Sequence, residues 1–152
     1  AGARTITPDQ LEGAVWSSLI HEARGIAFFQ HNNNGQCGNY SLIDCGADLK
    51  SKVTAVTGQV RALAPVLNSQ SYVYDFANGT DTMLKTHGGY AYVFADLGLK
   101  DSTGTKTFTL PDGVTGATAT VVGENRTIPV VNGQFSDGFA AEYTHHIYRI
   151  AE

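Results

Sequence analysis

Four consecutive apolar residues, Ile26-Ala27-Phe28-Phe29, stand between two helical patterns. They restrict what this chain can fold into more than any other feature. The run lacks the alternation of a half-buried strand. It reads as a strand covered on both faces, as in parallel sheets flanked by helices. Such a strand is not stable alone, because its backbone donors and acceptors need partners on both edges. No second run of this kind occurs before Asn68. Three arrangements satisfy the edges. The chain is the tail of a larger β/α structure, or the strand pairs with another copy of the chain, or it joins a sheet built downstream. The first is the favoured reading.

The flanking segments support it. TITPDQLEGAVWSSLIHEARG carries a capping box, with Thr7 as cap, Pro8 at the first helical position and Gln10 closing the box. Leu11, Val15 and Leu19 share one face, with Trp16, Ile20 and Ala23 beside them. Gly25 is the expected left-handed residue that ends the helix. A long polar loop, His31 to Gly46, follows the apolar run, and long structured loops in that place are usually functional. A second helix follows, with Asp48 as its expected cap. Its stripe is Leu49, Val53, Val56, Val60 and Leu63, and Pro65 ends it.

After Asn68 the texture changes. THGGYAYVFADLG alternates and is rich in aromatics. TKTFTLPDG ends in a turn, and GATATVVGENRTIPVVNGQFSDGF holds short strands separated by Gly-Glu-Asn and Asn-Gly turns. THHIYRIA closes the chain as a further strand. Short strands at close spacing read as an antiparallel β-sandwich. Pro129 inside one of them indicates an edge or a bulge.

Composition removes several function classes. The 152 residues suffice for one domain with a core or for two small units. A net charge of −4 with only 10 Lys and Arg argues against nucleic acid as a partner. No apolar run approaches the roughly 20 residues that span a bilayer, and no membrane partner is expected. No leader of basic and then apolar residues is present, so an export signal is expected to be absent or removed. Cys37 and Cys45 in CGNYSLIDC are expected to close a short loop as a disulfide in an exported, secreted or periplasmic protein. No CxxC pairs with them to suggest a metal, and no cofactor motif is found. His21-Glu22 begins an HExxH-like string, but Gly25 stands where the second histidine is required. His145 and His146 are adjacent in a strand and point to opposite faces, which keeps them off a common metal; one is expected to be buried and the other exposed.

VWSSLIHEARGIAFFQH, then VTAVTGQVRALAPVLNS, then a strand-rich tail ending in FAAEYTHHIYRI, resembles the C-terminal end of a bacterial glycoside hydrolase of the TIM-barrel superfamily. Glu22 stands where that pattern usually has Gly. The resemblance implies an α+β chain. A helix–strand–helix remnant of the β/α barrel would occupy residues 1–68, and an antiparallel β-sandwich residues 69–152. It implies that Ile26 to Phe29 is the last barrel strand. His31, Asn32 and Asn33 would then lie at the carboxyl end of the barrel, where such folds place their active sites and where these side chains could contact a sugar. It also implies that the acid/base and nucleophile carboxylates lie upstream of Ala1. Glycoside cleavage needs two carboxyls at a defined separation, and no catalytic pair is found in this chain. Trp16, Tyr90 and Tyr92 are further candidates for stacking on a sugar ring, with core packing as the alternative for each. The expected partners are a carbohydrate and the missing barrel portion or a second copy of the chain. The other function readings are a free-standing carbohydrate-binding module and an assembly module.

Overall fold

The computed structural model describes residues 6–29, 40 and 46–152. Helix α1 (Pro8–Ile20) begins as its sequence requires. Thr7 Oγ1 accepts from the Gln10 N–H at 3.2 Å, and Gln10 Oε1 accepts from the Thr7 N–H at 3.0 Å. Helix α2 (Ala47–Ala62) presents Leu49 and Val56 to the core, and Leu63 just beyond its end is also buried. Its cap is Gly46, and no side chain caps it. Asp48 instead sits in the first turn, where a negative charge meets the positive end of the helix dipole. Pro65 does not end the helical region. It opens one more turn, α3 (Ala64–Leu67), where a proline near the start loses no hydrogen bond.

Eight strands follow: β1 (Ser71–Tyr72), β2 (Asp81–His87), β3 (Tyr90–Asp96), β4 (Gly104–Thr109), β5 (Thr118–Val121), β6 (Arg126–Pro129), β7 (Gln134–Phe139) and β8 (His145–Ala151). Six form a sheet in the order β1-β2-β3-β8-β5-β6, and β4 pairs with β7 in a second sheet. All pairings are antiparallel. Gly88 and Gly89, both at positive φ, make the two-residue turn between β2 and β3. Pro129 ends β6, the edge strand, where its missing donor costs no ladder bond.

The six-stranded sheet is covered on both sides, and the alternation of its strands sorts the side chains. One face carries Met83, Phe94 and Ile147 in register across β2, β3 and β8, packed against Leu11, Val15, Trp16, Leu19 and Val56 of the helices. The other carries Leu84, Val93, Val121, Tyr148 and Ile150, packed against Phe108, Phe135 and Phe139 of the small sheet. Phe135 stands edge-on to Tyr148 at 4.7 Å between centroids, and Phe108 stacks on Phe135 at 5.0 Å. The α+β class thus has a helical layer, a large sheet and a small sheet. Residue 68 falls in the turn between α3 and β1, and the two parts of the chain share the helix-side core. Gly13 is required at that junction. A Cβ there would lie 2.7 Å from Tyr143 Cβ in the loop before β8.

Residues 26–29 differ from the sequence reading. Among the described residues they belong to no strand. Ile26 and Phe28 are half-buried against the helix core, while Ala27 is exposed and Phe29 is 85% exposed. The packing that the described residues give the run is on the Ile26 and Phe28 side, against the helix core.

The residue that turns the chain after α1 also differs. It is Glu22, at φ 68°, and not Gly25. A Cβ in the left-handed region costs roughly 1–2 kcal/mol. Glu22 compensates by accepting from the Ser71 hydroxyl and lying 4.0 Å from the Lys85 ammonium. Lys85 is 1% exposed, and burial lowers its pKa, an effect that Glu22 opposes. Glu22→Gly and Glu22→Ala both remove the carboxylate but differ in the backbone. The Gly variant should be more stable than the Ala variant by about 1 kcal/mol in urea unfolding. Equal midpoints would show that the φ of this residue carries no strain.

Candidate functional site

Tyr90, Tyr92, Phe94 and Asp96 alternate along β3 onto the helix-facing side of the sheet, and His145, Ile147 and Arg149 do so along β8. Register sets Tyr92 opposite Arg149 and Asp96 opposite His145. Between this face and the flank of α1 and α2 opens a cleft of about 490 Å³. Tyr92, His145 and Arg149 line it from the sheet, Glu12 and Gln59 from the helices, and Glu124 from the turn after β5. Gln59 reaches over that turn; its Nε2 lies 3.4 Å from where a Cβ on Gly123 would sit.

The charges around the cleft are matched. Lys52 binds the Glu12 carboxylate and lies 3.4 Å from Asp9. Glu124 accepts from Arg126 Nε at 2.7 Å and pairs with His146 Nδ1. Arg126 continues into a bidentate pair with Asp137, its Nη1 and Nη2 donating at 3.0 and 2.6 Å. Tyr148 donates to the same carboxylate at 3.0 Å. Burial pushes the Asp137 carboxyl up, but hydrogen bonds from Arg126, the Gly138 N–H and Tyr148 outweigh it and hold the group below the usual range. Arg149 is not in this network; its guanidinium lies over the Tyr90 ring, 4.8 Å from the centroid.

A second polar group lies at the other end of β3. Asp81 and Asp96 are cross-strand neighbours, and His21 Nε2 is 3.7 Å from Asp81. Asp96 is 3% exposed, and its Oδ1 has no hydrogen-bond partner. Burial and the charge of Asp81 push its pKa up to about 6, against a Ser17 hydrogen bond and His21. The carboxylate form is therefore the unfavourable one in the folded state, and its cost builds from about pH 4 to about 6. Asp96→Asn should stabilise the protein by about 2–3 kcal/mol near pH 8, with the gain vanishing below about pH 4, where both states are protonated. Chemical denaturation across that pH range measures it. A pH-independent difference would assign the titration elsewhere.

The structure divides the residues expected to contact sugar. Tyr92 lines the cleft, and Tyr90 stands beside it, exposed and covered on one face by Arg149. Trp16 is fully buried, stacked on His145 at 5.4 Å and packed on Phe94 at 6.2 Å. It presents no ring face to solvent, so its stacking role is with the core. His31, Asn32, Asn33, Cys37 and Cys45 lie outside the described residues. His145 and His146 do point to opposite faces. His145 lies under the helices with its pKa lowered by burial, and His146 lies in the Glu124 network. Both are half-buried, whereas one was expected to be exposed. Among the described residues, no group of three His, Cys, Asp or Glu side chains is arranged to hold a metal. No described helix is long and apolar enough to cross a membrane. Sequence reasoning missed Gln59, Glu124 and Arg149 in the cleft. Alternation alone puts Arg149 on the Ile147 face, but only the β3–β8 register places it beside Tyr92.

Two solved structures share this fold. An alpha-amylase from Anoxybacillus matches over 94% of this chain with a TM-score of 0.54 at 15% identity. The alpha-amylase of Geobacillus thermoleovorans, solved with acarbose, matches over 96% with a TM-score of 0.61 at 13% identity. The chain spans about a third of each, 32% and 34% respectively. No protein-family profile and no curated protein sequence matches the chain.

Proposed function

We propose that this chain is the C-terminal portion of a glycoside hydrolase-like protein, and that its β-sandwich is non-catalytic. The observation that carries the reading is the pair of alpha-amylase folds, in which nearly all of this chain matches about a third of a longer protein. Residues 1–68 are then the last part of the barrel, and residues 69–152 the sandwich that follows. His31, Asn32 and Asn33 stand as sugar contacts at the barrel mouth. A Cys37–Cys45 disulfide and an exported location belong to the same reading. So do a carbohydrate partner and association with the rest of the barrel.

The chemistry of the described residues supports an inactive fragment. Glycoside cleavage requires one carboxyl that can give a proton and one that can attack or activate water. Glu12 and Glu124 share the cleft, but each is engaged by a cation, Lys52 in one case and Arg126 with His146 in the other. Asp96 is shut away from solvent. This chain alone should give no turnover of nitrophenyl glycosides. Turnover that Glu12→Gln or Glu124→Gln abolishes would overturn the reading and make the cleft an active site.

A further inference from the structure

We propose that the cleft between β3, β8 and α2 is a non-catalytic subsite for a neutral sugar chain, with Tyr92 as its platform. The proposal rests on the carbohydrate-active reading above and adds the place and the kind of contact. Its volume of about 490 Å³ falls in the ordinary range for small-ligand sites, roughly 300–1,000 Å³. Tyr92 is half-buried against the helix-side core, so its ring is held rather than free to swing. Sugar rings offer an apolar C–H face and a rim of hydroxyls, and an aromatic ring with polar groups around it matches both.

The polar groups are of the right kind and are available. The Tyr92 hydroxyl, the Gln59 amide and the Arg149 guanidinium make no hydrogen bond among the described residues. Together they offer both donors and acceptors to hydroxyls. The charge balance selects against ions. Glu12 and Glu124 are each engaged by a cation and so are not free to hold a cationic ligand, while Arg149 lies over the Tyr90 ring rather than in a cluster of cations that would hold a strong anion. A neutral polyhydroxylated ligand requires neither. Glu124 is pinned by Arg126 and His146, so its orientation is set before a ligand arrives. The cleft draws on α1, α2, β3, the turn after β5 and β8, which explains why no local motif marks it.

The test is titration of the isotope-labelled chain with maltohexaose, cellohexaose and xylohexaose, read by amide chemical shifts. At least one of the three should give saturable shifts centred on Gln59, Tyr92, Gly123 and Arg149. Tyr92→Ala should weaken that binding at least tenfold, and Tyr92→Phe should retain most of it. Tyr72→Ala, at an exposed tyrosine away from the cleft, should leave it unchanged. Gln59 is exposed on its helix, so Gln59→Ala keeps the fold and should weaken binding several-fold even if Tyr92→Ala perturbs packing. No saturable shift with any of the three sugars, shifts centred elsewhere, or equal affinity in Tyr92→Ala and Gln59→Ala would overturn the proposal. Such a failure leaves the inactivity of the fragment and the size of its parent product untouched, so the two readings fail separately.

Discussion

Replacing Trp16 with Ala should cost about 3–5 kcal/mol of stability, the largest effect expected of any single substitution in the helical layer. Trp16 is fully buried and lies where α1 meets the sheet, against Phe94 and His145. Its removal leaves a cavity in the one core that joins helices to strands. For a chain of this size the loss corresponds to a fall in melting temperature of roughly 6–20 °C. Trp16→Phe should cost much less. It keeps an aromatic ring, and the indole N–H it removes has no hydrogen-bond partner. Because Trp16 is the only tryptophan, its fluorescence reports this interface directly. Emission should be blue-shifted in the folded chain and move red in one step on denaturation. Emission at the wavelength of an exposed indole in the native chain would contradict the packing of α1 on the sheet.

Asp137→Ala should be nearly as damaging, at about 3 kcal/mol. That figure is at the low end for a broken buried ion pair, because the Arg126 side chain is 36% exposed and can be rehydrated. The substitution also strands the Tyr148 hydroxyl, whose side chain is buried between the sheets. The pH dependence separates this group from Asp96. The Asp137 carboxyl is held below its usual range, so its stabilisation is complete above about pH 4 and fades as pH falls through the folded value. Asp96 behaves in the opposite sense, with its cost building from about pH 4 to about 6 and constant above. The gap between wild type and Asp137→Ala should therefore narrow in strong acid to the part set by the stranded Tyr148 hydroxyl, while wild type and Asp96→Asn converge by about pH 4. Urea midpoints across the range measure both. A constant gap between wild type and Asp137→Ala down to the lowest pH would remove the carboxylate from the account.

The parts of this fold legible in the sequence are those fixed by neighbours in the chain. The capping box of α1 works within four residues, and the Asn132-Gly133 turn between β6 and β7, both at positive φ, within two. Pro129 pointed to an edge or a bulge because proline lacks a donor wherever it sits, and its strand is an edge. Tertiary contacts overrode local preference elsewhere. Glu22 takes the left-handed position that Gly25 would fill more easily, held by Ser71 and Lys85 from the strand region. The run 26–29 carries the composition of a doubly covered strand, but cover is a property of neighbours, and among the described residues it forms no strand, with only Ile26 and Phe28 packed on the helix core. Trp16 looked the same in the sequence whether it faced a sugar or the core; its packing partners, Phe94 and His145, come from strands far along the chain. The cleft was legible only in part. Tyr92 was found from its alternation with Tyr90, while Gln59, Glu124 and Arg149 needed the helix-on-sheet packing and the β3–β8 register.

The central claim is that this fold belongs to a longer barrel protein. The mass of the natural product that carries it tests the claim most directly, read by immunodetection with antibodies raised against the β-sandwich. The chain spans about a third of each alpha-amylase structure, and on the proposed reading the product is expected at about three times the 16.2 kDa of this segment. A sole product near 16 kDa, encoded by a reading frame that opens close to Ala1, would contradict it.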